Sequence, residues 1–106
     1  MSTPNMEVLK IFIPFIVMLI IIGFYYVLMT KNLIRILLGL EIITKAAILA
    51  IIVAGYVTNN MAMAQSLVII IIIIEVFVIA VAAGVIIHIY KQTGSVDVRS
   101  IRNLKG

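Results

Sequence analysis

The chain has 106 residues, of which 65% are hydrophobic and 11% charged, and its mean hydropathy is +1.35. Water-soluble domains are about 45–50% apolar, and a chain this short has no core large enough to hide the surplus, so a membrane protein is implied. The net charge of +4 does not point to nucleic acid, because the basic residues flank the apolar segments, as membrane-orientation charges do.

There is no cysteine and only one histidine, which excludes disulfides, thiolate metal sites and His-rich metal sites. Residues 1–106 read as one unit, without room for a second domain. Three apolar segments, about 8–29, 33–57 and 66–89, each exceed the ~20 residues needed to cross a bilayer core. They predict three transmembrane helices in an all-α membrane protein.

The first segment is too long for a signal-peptide core, and no small-residue cleavage site follows it, so it reads as a retained helix. Pro14 within it removes one backbone hydrogen bond. The connection Thr30-Lys31-Asn32 is short and makes helices 1 and 2 a tight antiparallel pair. The second connection runs from Thr58 through Gln65 and is polar but uncharged. Helix 3 contains six consecutive isoleucines, Ile69–Ile74. They look β-prone, but three strands cannot close a barrel and an open sheet in lipid leaves its edges unpaired, so helix is expected. The tail, 90–106, is polar and basic, with Gly94 as a break after the third helix.

Three spans put the first connection and the tail on one side. That side carries Lys31, Arg35, Lys91, Arg99, Arg102 and Lys105; the other carries Lys10, balanced by Glu7. The positive-inside rule then places the N-terminus outside and the C-terminus in the cytoplasm, in a multi-pass protein of the cytoplasmic membrane. Tyr25, Tyr26 and Tyr90 near one boundary and Tyr56 near the other fit an aromatic belt.

The chain has four acidic residues, and two of them, Glu41 and Glu75, lie deep in apolar segments. Lys45 follows Glu41 by one helical turn. An ionisable side chain at mid-membrane costs about 2.5–3.5 kcal/mol even on the lenient insertion scale, and such residues mark ion or proton paths. At ~1.5 Å per residue, Glu41 lies ~12 Å, Lys45 ~18 Å and Glu75 ~21 Å from the cytoplasmic boundary, within one layer given a turn of uncertainty in the helix ends. A structural reading competes: Glu41 and Lys45 neutralise each other as an i,i+4 pair, and Glu75 clamps two helices by a hydrogen bond. His88, near the cytoplasmic end of helix 3, is a possible further relay member or an ordinary interfacial residue.

On a helical projection Lys45 lies ~40° from Glu41, while Ala46, Ala50 and Ala54 centre ~180° away. On helix 3, Ala80 and Gly84 lie ~140–180° from Glu75. Small residues at spacing four let membrane helices approach closely. Two opposite faces to cover on two helices call for a larger membrane assembly. No nucleophile–base pair, phosphate loop or metal cluster is visible, so no catalysis, cofactor or metal is expected of the isolated chain, and its partners are other membrane subunits and lipid.

The stretch Lys31-Asn32-Leu33-Ile34-Arg35, followed by Leu38-Gly39-Leu40-Glu41, resembles the K subunit of NADH-quinone oxidoreductase, the respiratory complex I family. That family has three membrane helices, a Gly-[Leu/Ile]-Glu motif in the second and another glutamate in the third. Its acidic-to-Leu-basic-Gly tail is matched by Asp97 through Ile101, Leu104, Lys105 and Gly106. The same fold occurs in the C subunit of Mrp-type antiporters and in membrane-bound hydrogenase-like complexes.

The resemblance implies a non-redox membrane subunit of an ion-translocating oxidoreductase complex, with antiporter-like neighbours and a proton relay through Glu41, Lys45 and Glu75. A subunit of a multisubunit cation/proton antiporter and a purely structural membrane-arm subunit remain the alternatives. Lys45 departs from the family, which usually carries asparagine there. A four-helix drug/proton antiporter is disfavoured because the first span holds no acid, and an ATP-synthase rotor subunit because it would have two helices.

Overall fold

The computed structural model describes residues 4–99; the tail beyond them, with Arg102 and Lys105, lies outside the described residues. Three α-helices follow one another: α1 Pro4–Met29, α2 Leu33–Val57 and α3 Met61–Thr93. All are long and apolar enough to cross a membrane. At about 1.5 Å per residue they are about 39, 37 and 50 Å long, against the ~30 Å of a bilayer core.

α2 lies in the middle, packed on α1 over most of its length and on α3 over less; α1 and α3 scarcely meet. The shape is correspondingly flat, 62 × 26 × 16 Å. The core is thin: Ala46 is 0%, Ala64 4% and Val53 6% exposed, whereas most large apolar side chains face outward. In lipid such exposure is no defect, because the acyl chains are as apolar as the side chains.

α1 and α3 both run longer than the sequence suggests. Pro4 opens α1, at a position where proline's missing N–H is no loss. Pro14 sits inside α1 without ending it, since neighbouring groups in a membrane helix take up the freed carbonyl. α3 starts at Met61, not at Ser66. Met61-Ala62-Met63-Ala64-Gln65 are good helix formers, and their polarity misleads because the helix simply projects beyond the apolar layer.

The second connection therefore shrinks to Thr58-Asn59-Asn60. Asn59 takes a left-handed conformation, φ 58°, which asparagine tolerates better than most residues. The amides of Thr58 and Asn60 donate back to Ala54 O (3.0 Å) and Gly55 O (2.8 Å). The Asn5 side-chain Nδ2, at the start of α1, donates to Val57 O at the end of α2 (3.1 Å).

The opposite end is tied more elaborately. The Asn32 side chain caps α2, accepting from the amides of Ile34 (2.9 Å) and Arg35 (3.4 Å). Gly94 ends α3 in the left-handed region, φ 73°, as helix C-termini often require. The chain then returns to the first connection: Leu33 N donates to Val96 O (2.7 Å) and Val98 N to Lys31 O (2.8 Å), an isolated antiparallel bridge between Asn32 and Asp97. This strap fixes α3's end to the α1–α2 turn.

Candidate functional site: an acid–base–acid cluster in the membrane layer

Glu41 and Lys45 lie on consecutive turns of α2, and Glu75 comes from α3. The crossing that brings α3 to α2 is set near their common connection, where Gly55 faces Ala64. A Cβ on Gly55 would collide with the Ala64 Cβ, so the backbones run close there. From that contact the antiparallel helices carry Glu75 alongside Lys45.

The Lys45 ammonium donates to Glu75 Oε1 at 2.6 Å. It stands 3.7 Å from Glu41 Oε2. Glu75 is buried, 7% exposed, while the Lys45 side chain is 59% and the Glu41 side chain 26% exposed. Glu75 Oε2 is also buried and accepts no hydrogen bond from a described residue.

Two hollows flank the cluster. One, about 460 Å³, lies on the α1 side and is lined by Tyr26, Arg35, Glu41 and Lys45 among apolar residues. The other, about 210 Å³, lies between α2 and α3 and is lined by Glu41, Thr44 and Glu75 with leucines, isoleucines and Val78. Glu41 thus borders both. The Thr44 hydroxyl is committed to Leu40 O at 2.9 Å, as hydroxyls on membrane helices commonly are.

The sequence-derived trio Glu41, Lys45 and Glu75 therefore comes together. His88 does not join it. It lies exposed on α3, about 20 Å along the helix axis from Glu75. The Ala46, Ala50 and Ala54 stripe is buried only in part, with Ala46 covered and Ala54 exposed. Ala80 is exposed, and a Cβ on Gly84 would meet nothing within 4 Å.

Sequence reasoning missed the glycine contact that holds α1 to α2. A Cβ on Gly39 would lie 2.8 Å from Gly23 O and 2.9 Å from Tyr26 Cβ, and one on Gly23 would lie 2.9 Å from Gly39 O and collide with Ile43. In the sequence Gly39 stands out only as part of the Gly-Leu-Glu motif, although the absence of a side chain two residues before Glu41 is itself a signal of close approach. The tail strap also went unseen. In it Asp97 receives the Arg99 guanidinium (3.2 Å) and the Arg99 amide (2.8 Å). The guanidinium, then the amide, hold the Asp97 carboxyl below its ordinary range; the same pairing raises Arg99.

Three apolar spans built around a charged cluster in the membrane layer define a multi-pass membrane protein, with its ionisable groups gathered on the central helix and one neighbour. The sequence model of the NADH-ubiquinone/plastoquinone oxidoreductase chain 4L family matches residues 11–106. The chain belongs to that family, the small K-type membrane subunits of complex I-type oxidoreductases. No curated protein sequence and no solved structure gives a significant match.

Proposed function

We propose that the chain passes protons within the membrane arm of a redox-driven, complex I-type complex, with Glu41, Lys45 and Glu75 as the relay. The observation that carries this reading is the 2.6 Å contact between Lys45 on α2 and the buried Glu75 on α3, with Glu41 beside them. Intramembrane carboxylates paired with a base and bordered by hollows are the usual furniture of proton paths. Glu41, bordering both hollows, is the member best placed to exchange protons with either side.

The N-terminus lies outside and the strap and basic tail lie at the cytoplasmic face of the cell membrane. The uncovered faces of α1 and α3 meet other membrane subunits, antiporter-like ones among them, and redox cofactors belong to those neighbours. The same cluster in an Mrp-type antiporter or a hydrogenase-like complex would do the same work with a different driving reaction.

The test is Glu75→Gln in the assembled complex, with proton uptake measured in vesicles. Loss of uptake with subunit content unchanged is expected. Undiminished uptake would leave only the structural reading, in which Glu75 is a clamp between helices.

A further inference from the structure

The cluster holds two carboxyl groups and one ammonium, and their placement is asymmetric. Lys45 is hydrogen-bonded to Glu75 and stands about 1 Å too far from Glu41 for a charge-assisted hydrogen bond, which spans about 2.7–2.9 Å. With both glutamates ionised the trio carries one negative charge more than Lys45 offsets; Arg35 borders the larger hollow but forms no ion pair with either glutamate among the described residues, so that charge is costly in the membrane layer. With one proton the trio is neutral. Glu41 and Glu75 line the same hollow between α2 and α3, which gives that proton a route from one to the other. Among the described residues no other acid lines either hollow: from α1 the larger one receives Tyr26, from α2 Arg35, and α3 contributes Glu75 to the smaller.

We infer that Lys45 is a two-position cationic switch that keeps a single proton on the Glu41–Glu75 pair and moves opposite to it. The inference rests on the relay reading and deepens it. In the arrangement seen, Lys45 neutralises Glu75 and the proton resides on Glu41. For transfer, the O–H bond at Glu41 breaks and one forms at Glu75, while the ammonium slides about 1 Å toward Glu41 to reach hydrogen-bonding distance. Within the relay Lys45 remains an ammonium: its part is to carry positive charge from one glutamate to the other, while the proton itself passes between Glu41 and Glu75. Net charge is zero before and after, so neither state strands a lone charge in the membrane. Lys45 has the freedom this needs. Its side chain is 59% exposed and it borders the larger hollow, whereas Glu75 is fixed by burial. Glu75 Oε2, buried and without a hydrogen bond from a described residue, is the atom that receives the proton.

The experiment is infrared difference spectroscopy on the intact complex, with carboxyl C=O bands assigned by their loss in Glu41→Gln and Glu75→Gln, alongside proton uptake in vesicles. The wild type should show a protonated carboxyl assigned to Glu41 at rest. Lys45→Met should add a second, assigned to Glu75, and lower uptake at least tenfold. Lys45→Arg, which keeps the cation, should retain the single band and most of the uptake. If Lys45→Met does not assemble, Glu41→Gln decides: with the ammonium locked on Glu75, no protonated Glu75 band should appear, and its appearance would overturn the switch. An unchanged band pattern in Lys45→Met, or uptake at the wild-type rate, would overturn it too. Full uptake in Glu75→Gln would instead remove the relay itself, so the two failures are distinguishable.

Discussion

α2 has two neighbours and meets them by opposite means. Against α1 the contact is apolar and tight, with Gly23 and Gly39 so close that neither has room for a methyl group. Against α3 the backbones approach closely at Gly55 and Ala64, then leave a polar cleft that Glu41, Thr44 and Glu75 share with apolar residues. One interface is built by removing side chains, the other around charges. Burying a charge pair is weak evidence for stability, because desolvation offsets much of the attraction. The α1–α2 contact therefore holds the protein together, and the α2–α3 contact accepts a less stable join to house the cluster.

This contrast is open to attack at each interface. Gly39→Ala should have the largest effect, because the new methyl meets the Gly23 carbonyl and the Tyr26 Cβ, neither of which can swing aside. Overpacking of this kind costs about 1–3 kcal/mol, occasionally more. Unfolding in mixed micelles followed by circular dichroism should show a loss at the top of that range. A loss no larger than at an exposed helix position would mean that the α1–α2 contact is not the anchor.

Gly55→Ala should do less, although its Cβ also collides, with Ala64. α3 has fewer contacts with α2 to lose, and it can shift outward until the methyl groups clear. About 1 kcal/mol is expected. The informative readout is uptake, which should fall more than stability does, because the shift separates Glu75 from Lys45.

The double variant Lys45→Leu/Glu75→Leu should preserve stability, since it removes the buried Glu75 charge together with its partner and so leaves neither charge stranded. Uptake should vanish. A double variant that unfolds would make the pair a structural clamp and reverse the contrast between the two interfaces.

The three spans were legible in the sequence because composition and length suffice for them. The i,i+4 step placed Glu41 and Lys45 on one face of α2. Lys45's partner was not legible. The nearer acid is Glu75, thirty residues on, and only the α2–α3 crossing selects it over Glu41. Nor were Gly23 and Gly39 recognisable as a contact, because one glycine from each helix leaves no periodic trace. The alanines at spacing four looked like an interface, yet only Ala46 of that stripe is fully covered. The strap is invisible for a simpler reason: its bonds join the backbones of Lys31 and Leu33 to those of Val98 and Val96, and backbone atoms are common to every sequence.

The smallest effect should come at the strap, far from both interfaces. Asp97 joins it through the backbone bridge and holds Arg99 with its carboxylate. Because that pairing lowers the folded-state pKa of Asp97, the folded state binds fewer protons than the unfolded one wherever the two differ. Its contribution is therefore fully present above the ordinary aspartate range, near 4, and declines as pH falls through the lower folded value. Amide hydrogen exchange at Leu33 and Val98, corrected for the intrinsic pH dependence of exchange, should show constant protection from neutral pH down to about 4 and lose it only below that. Asp97→Asn should remove the acid-side decline while leaving exchange in α1 and α2 unchanged. Protection that instead fell between neutrality and mild acid would assign the strap's stability to a group other than Asp97.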